Sequence, residues 1–163
     1  MDKTGGIICF VTNSGWIDKP SMDGFRKSIE TEFSSIYVFN LRGAIRGRSG
    51  ITVKKEGQNV FDIMTGVAIT LLVKNPNVIT KKAKIFYHDI GDFLNRKEKV
   101  AKLLDLKSFK NDKIKLKELE PNEEGDWVDM RNDSFETMIP IAPEKKFDLK
   151  SPAIFNTYAI GIA

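Results

Sequence analysis

Cysteine is nearly absent from this chain: Cys9 stands alone among 163 residues. No internal disulfide can form, which fits a reducing compartment. Histidine is equally scarce, and His88, a solitary residue at the end of an apolar run, has no second His or Cys to complete a zinc set. It reads as a structural or solvated side chain, and no metal ligand is predicted. No stretch approaches the ~20 apolar residues of a membrane span. Met1-Asp2-Lys3-Thr4 lacks the basic and apolar regions of a signal peptide. The expectation is a soluble cytoplasmic protein without a membrane partner. Three chemical signatures are also missing: the Gly-x-Ser-x-Gly elbow, a phosphate loop ending Gly-Lys-Ser/Thr, and Gly-x-Gly-x-x-Gly after a strand. No catalytic residue is therefore predicted. Charge of one sign barely dominates, since 26 Lys and Arg stand against 22 Asp and Glu. That excess permits nucleic-acid contact without demanding it.

What is present begins with Gly6 to Thr12, a continuous apolar run closed by Asn13-Ser14-Gly15. It predicts a strand buried on both faces, with Cys9 as a small buried hydrophobe. Phe25, Ile29 and Phe33 recur at helical spacing, and Ser35 to Asn40 is rich in β-branched and aromatic residues. Strand, helix and strand make a βαβ unit, hence an α/β sheet. Gly66 to Val73 is the strongest strand in the chain. No crossover helix precedes it, so it is expected to run antiparallel to its neighbours. Ala83 to His88 predicts an edge strand. Asp92 to Leu106 predicts a helix with Phe93, Val100, Leu103 and Leu104 on its apolar face. Further on, Ile114 to Leu119 alternates like a half-exposed strand, and Glu120 to Asp133 reads as a solvated acidic loop around Trp127. Ser134 to Met138 reads as a short helix.

Leu41 to Thr65 shows no helical period and contains Gly43, Gly47, Gly50 and Gly57. Loops this long inside a domain are commonly functional. This one carries Arg42, Arg46, Arg48, Lys54 and Lys55 with no acid between Arg42 and Lys55. The cluster reads either as a set of phosphate contacts or as a solvated loop. The chain ends inside the apolar run Ile154 to Ala163, which reads as the cut edge of a longer protein because natural ends are usually polar.

Three segments together carry a resemblance. Gly6 to Ile17 resembles the strand and turn that follow the catalytic loop of adenine-specific DNA amino-methyltransferases. Phe61-Asp62-Ile63-Met64-Thr65-Gly66, with the strand after it, resembles their late motif. The Phe25-Arg26-Lys27 helix and Ser35 to Gly43 resemble the type ISP restriction-modification enzymes, often called predicted helicases. The likeness runs through residues 5–110 and more loosely through Gly125-Asp126-Trp127 and Ile154-Phe155. It implies the C-terminal part of a Rossmann-like S-adenosylmethionine-dependent methyltransferase sheet with an antiparallel last strand. Residues 111–163 would then begin a target-recognition or connecting region.

The resemblance also implies roles. A phenylalanine in the late motif stacks on the adenine flipped from the duplex, and Phe61 stands at that place; the plainer reading is a loop anchor packed on the sheet. Arg42, Arg46, Arg48, Lys54 and Lys55 would meet DNA phosphates, and Trp16 would line the pocket mouth or else pack in the core. S-adenosylmethionine is the cofactor of the full-length parent. None is expected for this chain, because Asn75-Pro76-Asn77-Val78 is not the family's Asn-Pro-Pro-Tyr tetrapeptide and follows the wrong strand. Expected partners are double-stranded DNA and the remaining domains of the parent, with dimerisation through an exposed sheet edge as a hazard. The rival readings are a non-catalytic DNA-binding or scaffolding module, and a methyltransferase half acting on RNA or protein.

Overall fold

The computed structural model describes residues 4–79, 81–108 and 111–128, together with 139 and 154. A compact unit spans Met1–Met130. Ser134 to Met138 and the apolar run after Ile154, both given expectations above, lie outside the described residues.

Five strands, β1 (Gly6–Asn13), β2 (Ser35–Arg42), β3 (Val67–Lys74), β4 (Lys84–Asp89) and β5 (Lys117–Leu119), form one mixed sheet in the order β1-β3-β2-β4-β5. β3 lies between β1 and β2 and runs antiparallel to both, pairing Val11 with Ile69 on one side and Phe39 with Ile69 on the other. β3 thus takes the antiparallel sense expected for it, although the linker before it does hold a helix, the seven residues Gly50–Glu56. β2 and β4 are parallel. β4 is not the edge strand its sequence predicted, because β5 pairs beyond it through Ile85 and Leu119.

β2 is buried on both faces and divides the core by its two-residue period. Ile36 and Val38 join Ile29 of α2 (Asp23–Glu32), Phe33 just after it and Trp127 on one face. Phe39 and Leu41 join Val60, Ile90 and the Leu103 and Leu106 side chains of α4 (Arg96–Leu106) on the other. Burying a side chain such as Ile29 or Phe33 contributes about 1.5–3 kcal/mol.

The inward stripe of α2 is Arg26, Ile29 and Glu30, with Phe33 buried just after its end, while Phe25 is half exposed. Two charged residues can sit there because each finds partners. Arg26 donates to the carbonyls of Trp16, Lys19 and Gly125 and pairs with Asp126 at 2.8 Å. Trp127 Nε1 donates to Glu30 at 2.6 Å. The Gly125–Trp127 segment, read from sequence as solvated loop, is therefore pinned to α2.

Three further expectations need correction. β1 is exposed along nearly its whole length, with Ile7 68% and Val11 49% accessible and Cys9 exposed. Its composition suits a central strand, yet among the described residues it occupies the sheet edge and pairs with β3 alone. The stretch 41–65 is not structureless, since α3 (Gly50–Glu56) forms within it. α4 starts at Arg96 rather than Asp92: Asn95 accepts from Glu98 N at 3.0 Å while Glu98 accepts from Asn95 N at 2.7 Å. This reciprocal cap fixes the helix start, and Phe93 just before it has φ +61, incompatible with a right-handed helix. Lys99 points inward from α4, whereas Val100 and Leu104 face solvent.

Candidate nucleic-acid interface

The C-terminal ends of the parallel strands β1 and β2 lie on the same side of the sheet, where ligands usually meet an α/β sheet. The turn Asn13–Gly15, α1 (Gly15–Asp18) and the long 43–66 loop all gather there. Ser14 N donates to Gly66 O at 2.8 Å, tying the first turn to the end of the loop.

Buried and half-buried polar contacts hold the loop. Lys99 Nζ, fully buried, donates to Leu41 O at 2.9 Å and to Glu56 O at 2.8 Å, joining the end of β2 to the end of α3. Burial lowers its pKa, and Glu56 opposes that shift. Asn59 donates to Thr65 O at 2.6 Å and accepts from Phe61 N at 2.8 Å. Gly43, at φ +87, lies so close to Asn59 that a Cβ there would sit 2.8 Å from Asn59 Cα. Only glycine fits that approach.

The five loop cations fall into two groups. Arg42 pairs with Asp89 at 2.7 Å and with Asp92, and also donates to Lys55 O. Burial alone would lower the Arg42 pKa, but the two carboxylates more than offset it and raise it. Arg48 pairs with Glu56 and lies 3.7 Å from Asp18. Burial raises the Asp18 pKa against the pull of Arg48. Arg46, Lys54 and Lys55 are exposed and make no ion pair among the described residues.

Two clefts flank the loop. The first, about 560 Å³, is lined by Ser14, Asp18, Lys19, Arg46, Arg48 and Met64 among others. The second, about 770 Å³, is lined in part by Val53, Lys54, Ile63, Met64, Phe93 and Arg96. Phe61 is 58% exposed and sits in sequence between Asn59 and Asp62, both of which line the second cleft. Trp16 is not itself in the lining of either cleft, although Gly15 and Asp18 beside it line the first. Its ring packs edge-on against Phe25 at 5.6 Å and Trp127 at 5.3 Å, partly buried against the core. His88 packs against Phe39 at 4.6 Å, and its Nδ1 lies 3.1 Å from Lys115 O, the structural role expected. Among the described residues no cluster of His, Cys, Asp or Glu could hold a metal ion.

Sequence reasoning missed Arg26, Glu30 and Lys99, whose burial depends on partners far along the chain. It also put Phe93 on a helix face, although the residue is exposed beside a cleft.

Neither a protein-family model nor a curated protein matches the chain. Solved structures do. The ATP-dependent Type ISP restriction-modification enzyme LlaBIII bound to DNA is 41% identical, with a TM-score of 0.81 over 95% of this chain. A nuclease-deletion mutant of the Type ISP enzyme LlaGI in complex with a DNA substrate mimic is 38% identical, with a TM-score of 0.74 over 88%. This chain is similar to a part of Type ISP restriction-modification enzymes. A third structure, the DrdV-DNA complex, is 32% identical with a TM-score of 0.74 over 98%. The chain spans only 10%, 13% and 16% of these three larger chains. In this Type ISP-like chain, no helix of the described residues is long and apolar enough to cross a membrane.

Proposed function

We propose that this chain is the later part of a DNA adenine amino-methyltransferase domain in a Type ISP-like restriction-modification enzyme, where it supplies DNA contacts and a base-stacking aromatic. The observation that carries this reading is β3, inserted antiparallel between two strands that run parallel to each other. That is the last-strand arrangement the sequence resemblance implied. The similar structures, all complexes with DNA, support the same reading.

The three exposed cations Arg46, Lys54 and Lys55 are the phosphate contacts, and Arg42 and Arg48 hold the loop that presents them. Phe61 offers its ring to the target base, which needs a π-face to offset its lost stacking. The uncovered faces and free edge of β1 accept the preceding strands of the parent, because a long apolar edge strand is otherwise an aggregation hazard.

On this reading S-adenosylmethionine is held by another part of the parent. The first cleft carries Lys19 and Arg46, and its Asp18 carboxylate faces Arg48 at 3.7 Å. The Asn75-Pro76-Asn77 turn lies at the opposite end of the sheet, bonded to Ser34 through Asn75 N at 2.7 Å. No methyl-transfer step is therefore assigned to this chain, and the parent's other part would bind the cofactor. Calorimetric titration with duplex DNA and with S-adenosylmethionine tests the assignment. Heat is expected with DNA and none with the cofactor. Micromolar cofactor affinity, or silence with DNA, refutes it.

A further inference from the structure

Phe93 carries two costs at once. Its φ of +61 places a bulky side chain in the left-handed region, and its ring is 57% exposed. Such strain costs on the order of 1 kcal/mol or more and persists only where the surroundings enforce it. Here they do. Phe93 N donates to Lys55 O at 3.0 Å and Gln58 N to Leu94 O at 3.1 Å, while Gly57 leaves room for Leu94 that any Cβ would fill at 2.1 Å. Among the described residues Phe93 belongs to neither core cluster and no ring packs on it.

The ring instead borders the second cleft, where Ile63 and Met64 are also exposed and Ile45, Val53 and Leu94 are partly buried. Lys54 and Arg96 line the same cleft, and neither forms an ion pair among the described residues. Asp62 is the one carboxylate in the lining. Nearby acids are occupied: Glu98 closes the helix cap and Asp92 holds Arg42. An exposed ring with flexible apolar neighbours, flanked by unpaired cations, suits a ligand that has a flat π-face and trailing negative charge. An unpaired nucleobase with its phosphates matches both, and base-on-aromatic stacking tolerates any base.

We propose that Phe93 is a stacking residue for an unpaired DNA base seated in the cleft between the 43–66 loop and the start of α4, a second aromatic contact distinct from Phe61. The proposal rests on the DNA-binding reading above.

The test combines stability with cross-linking. Asparagine tolerates the left-handed conformation, so Phe93→Asn relieves both costs and should raise the thermal midpoint by about 2–4 °C. The same variant should bind a single-stranded oligonucleotide about 5- to 150-fold more weakly than wild type. A 5-iodouracil in that oligonucleotide should photo-cross-link to Phe93 in wild type. Phe93→Trp, which keeps a π-face, should retain the affinity. A lower thermal midpoint for Phe93→Asn overturns the proposal, because the ring would then be structural. An unchanged affinity with no cross-link at Phe93 overturns it too, and marks the cleft as a seat for another part of the larger protein. In that case salt-dependent binding through Arg46 and Lys54 would leave the DNA-contact reading standing, whereas absence of any DNA binding sinks both.

Discussion

Replacing Arg46, Lys54 and Lys55 together by methionine is the most discriminating perturbation of the proposed DNA contact. Each phosphate contact to duplex DNA contributes about 0.9 to the slope of log affinity against log salt. Counted from the sequence alone, the five loop cations would give a slope of about 4.5, or a loss of roughly 500-fold between about 50 and 200 mM salt. The structure reduces that count. Arg42 is held by Asp89 and Asp92, and Arg48 by Glu56 with Asp18 nearby. The three remaining cations account for a slope of about 2.7, equivalent to roughly 40-fold over the same interval. Fluorescence anisotropy of a labelled duplex across that salt range should therefore show the triple variant losing about 2.7 units of slope. Arg42→Met should leave the slope unchanged while lowering stability, since Asp89 and Asp92 lose their shared partner. A triple variant with wild-type slope refutes the reasoning. So does an Arg42→Met protein that keeps its stability but loses slope.

Two further outcomes concern the scaffold. Arg26→Met removes the buried guanidinium shared by the Asp126 carboxylate and the carbonyls of Trp16, Lys19 and Gly125, and should cost about 3–5 kcal/mol in urea unfolding. A loss below about 1 kcal/mol would contradict the buried network. Tyr87 is pushed up to about 12 from 10.0, chiefly by burial. A folded-state pKa above the unfolded one means its contribution is complete below pH 10 and lost as pH rises towards 12, about 3 kcal/mol in all. Tyr87→Phe should flatten that alkaline loss, and thermal melts from pH 9 to 12 that remain parallel for the two proteins would refute it.

The sequence by itself determined the strands and the sense of β3. Apolar runs of six to eight residues with β-branched content name strands locally, and the lack of a helical period in 41–65 pointed to antiparallel pairing even though a short helix forms there. It also placed the glycine-rich basic loop between β2 and β3. Other features waited on tertiary structure because they depend on contacts between residues distant in sequence. Arg26 finds Gly125 and Lys99 finds Leu41 only when the chain has folded, and without those partners burial of either charge would be prohibitive. For the same reason no periodicity separates the buried Arg26 and Glu30 from the solvated lysines beside them. Which loop cations are held in ion pairs follows from where Asp89, Asp92 and Glu56 come to rest. The exposure of β1 is a matter of position too: its residues suit a central strand, and only the strand order leaves them at an edge.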